Sequence, residues 1–476
     1  MIISMKNTLA AMTSMLLLAA ACKEPLSAPN EDLPVAGPPQ TVQSLTTGVI
    51  AQDRSASSAF SYLLYPEGMA RNALRPDPNE PRFVSELLFL PMDNSDFIGS
   101  SGFSGYFTGI RAANQFIKDK SVLALQSGDL NAEVGLVQSL KALQYLRILQ
   151  LRDTLGSPIQ TDQVSTADPY RTKTAVLAYV STLLDSAYAN LTAAGVSASI
   201  PVTLPSGYIS NVTGDFSLTA NLAKFNRGLK GEVDVYRLLD HQAPCAACAA
   251  TAIAALNLAL AGQAAAPDAN GLAFGPYYQY NPNAPESFVT PLADPKIYLT
   301  DNFVNSIQAG DARASKITKA SSASITNGGL SSALTYKSPL TLSTNQTRQV
   351  PLRRAAFWYL LRAQAEAESG NLAAATADVN VVHLGEGGLT ALSTFASLAE
   401  ARAAILYEYR YSFIFEGPYY LVALREYSAL TKAYVSQPGM PSTSGDPTHA
   451  NDPLNSVLPI PSGEVVARGG TVTPQP

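Results

Sequence analysis

The chain has 476 residues, 37 acidic and 32 basic, for a formal charge of −5. That balance gives neither nucleic acid nor an anionic lipid surface an electrostatic hold, which excludes a strongly basic binding protein. Apolar residues make up 46% and charged residues 14%, enough for a large core. No apolar run beyond the N-terminus reaches the roughly 18 residues of a membrane-spanning helix. Length alone admits two or three domains of about 150 residues, or one helical solenoid with insertions.

Residues 1–21 place Lys6 in a short n-region, then an apolar stretch ending in Leu16, Leu17 and Leu18, then Ala19-Ala20-Ala21 before Cys22. This is a signal peptide, too short to span. Ordinary cleavage after Ala21 would leave Cys22 as a lone thiol in an exported chain, a liability that lipid attachment removes. The segment resembles a bacterial lipoprotein box, which implies three acyl chains on Cys22 and firm anchoring. Residues 22–40 are rich in Pro, Ala and acidic side chains and read as a flexible tether. Lys23-Glu24 resembles the surface-export signal of lipoproteins in the Bacteroidetes.

Helical periodicity begins with Tyr106, Ile110, Ala113 and Ile117 and resumes over 134–151 after Ser127-Gly128-Asp129, predicting a helix pair. A second pair covers 174–191 and 218–239, joined by a loop with Pro201, Pro205 and Gly207, and a further helix over 246–260 is nearly all Ala and Leu. Cys245 and Cys248, ahead of it, read as a disulfide or quiet thiol pair. A redox dithiol or half a zinc site is the alternative, but only His241 of the three histidines is near, so no metal site is expected. Residues 262–350 change character, with many Pro, Ser, Thr, Asn and Tyr residues and an Asn327-Gly328 turn, and predict a functional insertion. Helices return over 353–368 and 372–384, punctuated by Gly370-Asn371, and over 397–415, where Leu398, Ala401, Ile405, Tyr409 and Phe413 form one stripe. The class is mainly α: a tetratricopeptide-like helical-repeat scaffold with long irregular insertions and a few short strands.

Several segments, in order, resemble the SusD/RagB family of surface nutrient-binding lipoproteins. Glu408-Tyr409-Arg410-Tyr411-Ser412-Phe413-Ile414-Phe415-Glu416-Gly417, followed by Leu424-Arg425, is similar to the family's E-R-x-x-E-F-x-F-E-G signature and its trailing L-R. Tyr409 and Ser412 stand where arginine and glutamate are usual. Ile110-Arg111-Ala112-Ala113-Asn114, Leu140 to Tyr145, Gly310-Asp311-Ala312-Arg313, Ala365-Glu366-Ala367 and Leu458-Pro459-Ile460-Pro461 with Glu464 add further matches. The resemblance implies one domain over 41–476: about four helix pairs, at 104–260 and 353–416, with a ligand-side insertion at 262–350. It also implies a hinged lid on a SusC-like TonB-dependent outer-membrane barrel, capturing an oligosaccharide or similar nutrient without covalent chemistry or a cofactor.

Within the signature, Glu416 is expected to pair with Arg410 or Arg425 and fix the turn at Gly417. Trp358, inside a helical stretch, is expected in the core. Tyr277, Tyr278 and Tyr280, flanked by Gly and Pro in the insertion, are expected as an exposed sugar platform. Asp93, Asn94 and Phe97 form a second candidate ligand site by their place before the first helix pair, as the resemblance implies. No nucleophile elbow, H-E-x-x-H, phosphate loop or dinucleotide fingerprint occurs, and Glu366 and Glu368 point apart on their helix, so no catalytic residue is expected. A surface glycan hydrolase and a lipid-anchored, protein-binding helical scaffold are the competing classes.

Overall fold

The computed structural model describes residues 41–475 apart from 122, 124, 160–167, 197, 211, 284–288 and 342–346. The expected signal peptide, Cys22 and the tether lie outside the described residues.

The longer helices are α1 (Val42–Ser57), α2 (Ser104–Asp119), α3 (Ser127–Arg152), α4 (Lys173–Ala194), α5 (Thr219–Leu238), α6 (Cys248–Ala259), α7 (Ala355–Glu368), α8 (Leu372–Gly385), α9 (Leu398–Ser412) and α10 (Tyr419–Glu426). Their starts carry side-chain caps where the sequence offers them. Thr172 accepts from Ala175 N, Asn371 from Ala374 N and Ser397 from Glu400 N, each satisfying an amide that the first turn leaves open. Among the described residues no helix is long and apolar enough to cross a membrane.

Each helix packs on its successor, so the array is a solenoid. Packing is most extensive between α3 and α4 and between α5 and α6, and α9 closes the array against α7 and α8. The predicted pairs, α2 with α3 and α4 with α5, do pack, within a continuous array in which each of these helices also packs on its other neighbour. The continuity shows in α3, whose residues from Ala132 to Arg152 are buried all round except Gln138. A helix surrounded on every side shows no stripe to indicate its partner. The first helix of the set, α1, was not anticipated: its Thr, Ser, Gly and Gln content masks a buried face of Thr46, Val49, Ile50, Asp53 and Ser57.

The insertion is stitched to both ends of the folded unit. A four-stranded antiparallel sheet runs in the order Ala73–Leu74, Tyr298–Leu299, Tyr336–Lys337, Thr318–Lys319, so its first strand comes from the segment after α1. Tyr277–Tyr278 pairs with Val350–Pro351 at the entrance to α7. Trp358 is fully buried, as expected, and faces Gly228 of α5, where a Cβ would stand 2.3 Å from its Nε1. Only glycine permits that approach of α5 to α7.

The scaffold also buries charge. Arg353 and Glu232 are both inaccessible and meet through two bonds, Nε to Oε2 at 2.7 Å and Nη2 to Oε1 at 2.9 Å. Tyr419 Oη and Leu352 O accept from Arg353 Nη1, while Gln150 and Tyr236 donate to Glu232. Such a pair is tolerated in a core because every donor and acceptor is satisfied.

Candidate ligand-binding face

The loop before α2 holds its shape through its own polar side chains. Asp93 Oδ1 accepts from Ser95 N at 2.9 Å and Ser95 Oγ at 2.6 Å, and Asp93 N donates to Asp96 Oδ2 at 2.7 Å. The bonds from Ser95 hold the Asp93 carboxyl below the usual carboxylate range. The body of the protein clamps both flanks. Met92 N donates to Asn455 Oδ1, Ile98 N to Glu86 Oε2 at 2.7 Å, and Ser462 N to Asn94 O at 2.9 Å.

Within this frame Asp93 is exposed, Asn94 half-buried, and Phe97 39% exposed. Phe97 meets Phe83 edge-on at 5.4 Å between centroids, and the Arg82 guanidinium lies 4.5 Å from its ring centre. Phe83 continues inward to Phe60 and Tyr65. Arg75 stands 4.3 Å from the Phe83 ring centre and pairs with Asp77 at 2.7 Å and Asp294 at 2.6 Å, tying the cluster to the insertion. A fixed, partly exposed aromatic ring beside an amide and a carboxylate suits a polyhydroxylated ligand: the ring takes an apolar C–H face and the polar groups take hydroxyls. Sequence reasoning missed Arg75, Arg82 and Phe83, whose joint placement arises from tertiary packing; the aromatic residues at Phe60, Tyr65 and Phe83 were the available signal.

The tyrosines of the insertion are not a platform. Tyr277, Tyr278 and Tyr280 are 8%, 2% and 1% exposed, because their strand is laid against Val350–Pro351 and over α1. Their hydroxyls are also taken: Tyr277 donates to Ala273 O at 2.9 Å, Tyr278 to Asp53, and Tyr280 shares a 2.5 Å bond with Ser58 Oγ. Burial pushes all three phenols up, that of Tyr280 to about 12. They pin the insertion to α1, whose Asp53 is in turn paired with Arg147 of α3.

The signature after α9 builds a turn, with partners other than those expected. Glu416 pairs with Arg354, Nε to Oε2 at 2.8 Å and Nη2 to Oε1 at 3.2 Å, and not with Arg410 or Arg425. Arg410 donates instead to Asn72 Oδ1 at 2.8 Å and Asn302 Oδ1 at 2.7 Å, and Arg425 to the carbonyls of Ser456 and Gln150, both at 2.8 Å. The chain swings Glu416 away from α9 by placing Phe415 at φ +62°, and Gly417 follows where a Cβ would lie 2.9 Å from the Tyr419 ring. The Gly310-Asp311-Ala312-Arg313 turn joins the same region: Arg313 forks onto Asp311, at 2.9 and 2.8 Å, and pairs with Glu408, which also meets His383 Nδ1 at 2.7 Å. These motifs clip the insertion to α9.

Cys245 and Cys248 form a disulfide at the start of α6. Among the described residues no group of three or more His, Cys, Asp or Glu side chains is arranged to hold a metal ion.

The architecture defines a mainly α helical-repeat protein with an irregular cap. No family model matches the chain, and no curated protein does. Solved structures do. The chain is similar to a protein solved with xylogluco-oligosaccharide (TM-score 0.65, 13% identity, covering 92% of this chain and 99% of that one). It is similar to a SusD superfamily protein from Parabacteroides distasonis (0.64, 12%, 90% and 97%) and a SusD-like carbohydrate binding protein from Bacteroides vulgatus (0.59, 13%, 81% and 83%). The chain has the SusD-like fold.

Proposed function

We propose that this protein is a SusD/RagB-type lipoprotein, anchored to the outer membrane through Cys22 and exposed at the cell surface. It captures an oligosaccharide or similar nutrient and acts as the lid of a SusC-like TonB-dependent importer. The observation that carries the reading is the SusD-like fold over nearly the whole chain, behind the Ala19-Ala20-Ala21-Cys22 segment. The ligand is held on the 91–98 loop, with Phe97 stacking on a sugar face and Asp93 and Asn94 bonding hydroxyls. Binding requires no catalytic residue and no cofactor.

Labelled palmitate fed to the host should enter the wild-type protein and not Cys22→Ser, and protease added to intact cells should reach it. In titrations against a panel of oligosaccharides, at least one glycan should bind without being cleaved, and Phe97→Ala should weaken it at least tenfold. Turnover of the glycan, or absence of label, would overturn the reading.

A further inference from the structure

Away from the 91–98 loop, a pocket of about 430 Å³ opens between α9, α10 and the segment after α10, within the size range of small-molecule sites. Its walls include Tyr407, Tyr411, Tyr420 and Tyr434, with Arg410 among them and Ala403 and Ala433 exposed at its rim. Among the described residues Arg410 is the only charged side chain lining it.

That arginine is held unusually. It is 7% exposed, yet among the described residues it forms no ion pair. Its Nε and Nη2 donate to two neutral amide oxygens, on Asn72 and Asn302, while its Nη1 has no hydrogen-bond partner among the described residues. The carboxylate in its field, Glu67, stands behind Asn72, which donates to Glu67 Oε2 at 2.8 Å. Asn72 therefore separates the two charges. Tyrosine and phenylalanine rings surround the guanidinium, with centroids at 5.5 to 5.8 Å for Phe303, Tyr411 and Tyr420. The hydroxyls of Tyr407, Tyr411 and Tyr434 are bonded to Asp311, Phe303 O and Ala70 O, and Tyr407, the least buried of the four tyrosines, offers its ring to the pocket. Burial opposes the charge of this guanidinium, but Tyr420, Tyr434, Tyr411 and Glu67 outweigh it and hold its pKa above the usual arginine value, so a cation with a free Nη1 is available to an acceptor anion from outside.

We propose that this pocket is a second, separate binding site for a small carboxylate-bearing saccharide. Its carboxylate would meet Arg410 Nη1 and its ring would lie against Tyr407. The volume suits one or two sugar rings. The proposal is independent of the lid reading, since neither the pocket nor Arg410 touches the 91–98 loop.

The test titrates the full chain in detergent with glucuronate and, as a neutral control of the same ring size, glucose, by calorimetry and saturation-transfer NMR. Glucuronate should bind at least tenfold more tightly than glucose. Ala403→Trp and Ala433→Trp, both at the exposed rim, should weaken glucuronate at least tenfold with unchanged melting temperature, and Phe97→Ala should leave it unaltered. Arg410→Lys retains charge but loses the fork and should also weaken it. Equal affinity for the two sugars, no binding of glucuronate, or loss in Phe97→Ala but not in the rim variants would each overturn the proposal.

Discussion

Replacing Glu232 by Gln isolates the contribution of the buried Arg353–Glu232 pair. The substitution keeps volume and removes the charge, leaving Arg353, with no accessible surface, facing neutral oxygens only. Breaking one partner of such a pair costs about 3–5 kcal/mol. An unfolding entropy of about 2.1 cal/mol/K per residue over the roughly 410 described residues gives about 0.9 kcal/mol/K, so the expected fall in Tm is roughly 3–6 °C. Glu416→Gln should cost less, about 1.5–3 kcal/mol for lost charged hydrogen bonds. Its partner Arg354 keeps Glu386 and the Ser412 carbonyl, at 3.1 Å. Glu80→Gln, at an exposed pair with Arg82, should change Tm by less than a degree. Calorimetry on the three variants reads the order directly. Glu232→Gln within one degree of wild type, or Glu416→Gln below it, would refute the reasoning.

Glu426 is buried, and desolvation raises its carboxyl to about 8. A carboxyl raised in the folded state binds a proton there that the unfolded chain has released, so its share of stability is complete below about pH 4.5 and is lost as pH rises toward 8. Glu426→Gln mimics the protonated form and should therefore raise Tm relative to wild type at pH 8 while leaving it nearly unchanged at pH 5; an equal effect at both would contradict the assignment. Gly228→Ala drives a Cβ into Trp358 and should cost about 1–3 kcal/mol, with a shifted emission from the single tryptophan, read by fluorescence-detected melting. Phe97→Ala should weaken oligosaccharide binding at constant Tm, whereas Tyr278→Phe, which orphans its bond to Asp53, should lower Tm and leave affinity near wild type.

Local signals carried the scaffold well. The stretch read as 174–191 is α4 (Lys173–Ala194), and Gly370-Asn371 ends α7 and caps α8, because periodicity and capping act within a few residues. Trp358 was legible from the apolar helix around it. What failed needed long-range information. The burial of Tyr277, Tyr278 and Tyr280 depends on Asp53 and Ser58, more than 200 positions away. Glu416 finds Arg354, 62 positions earlier, because a positive φ at Phe415 turns it from the nearer arginines. The face around Phe97 was placed by position alone, and its supporting Arg75, Arg82 and Phe83 became visible only once the segment after α1 folded against the insertion.

The most direct test of the lid reading is affinity purification of the native lipoprotein from gently solubilised outer membranes of its own host, with mass spectrometry of what remains bound. The account predicts a large TonB-dependent barrel in near-equal amount. Recovery of the protein alone, or only with soluble proteins, would contradict it and favour a lipid-anchored interaction scaffold.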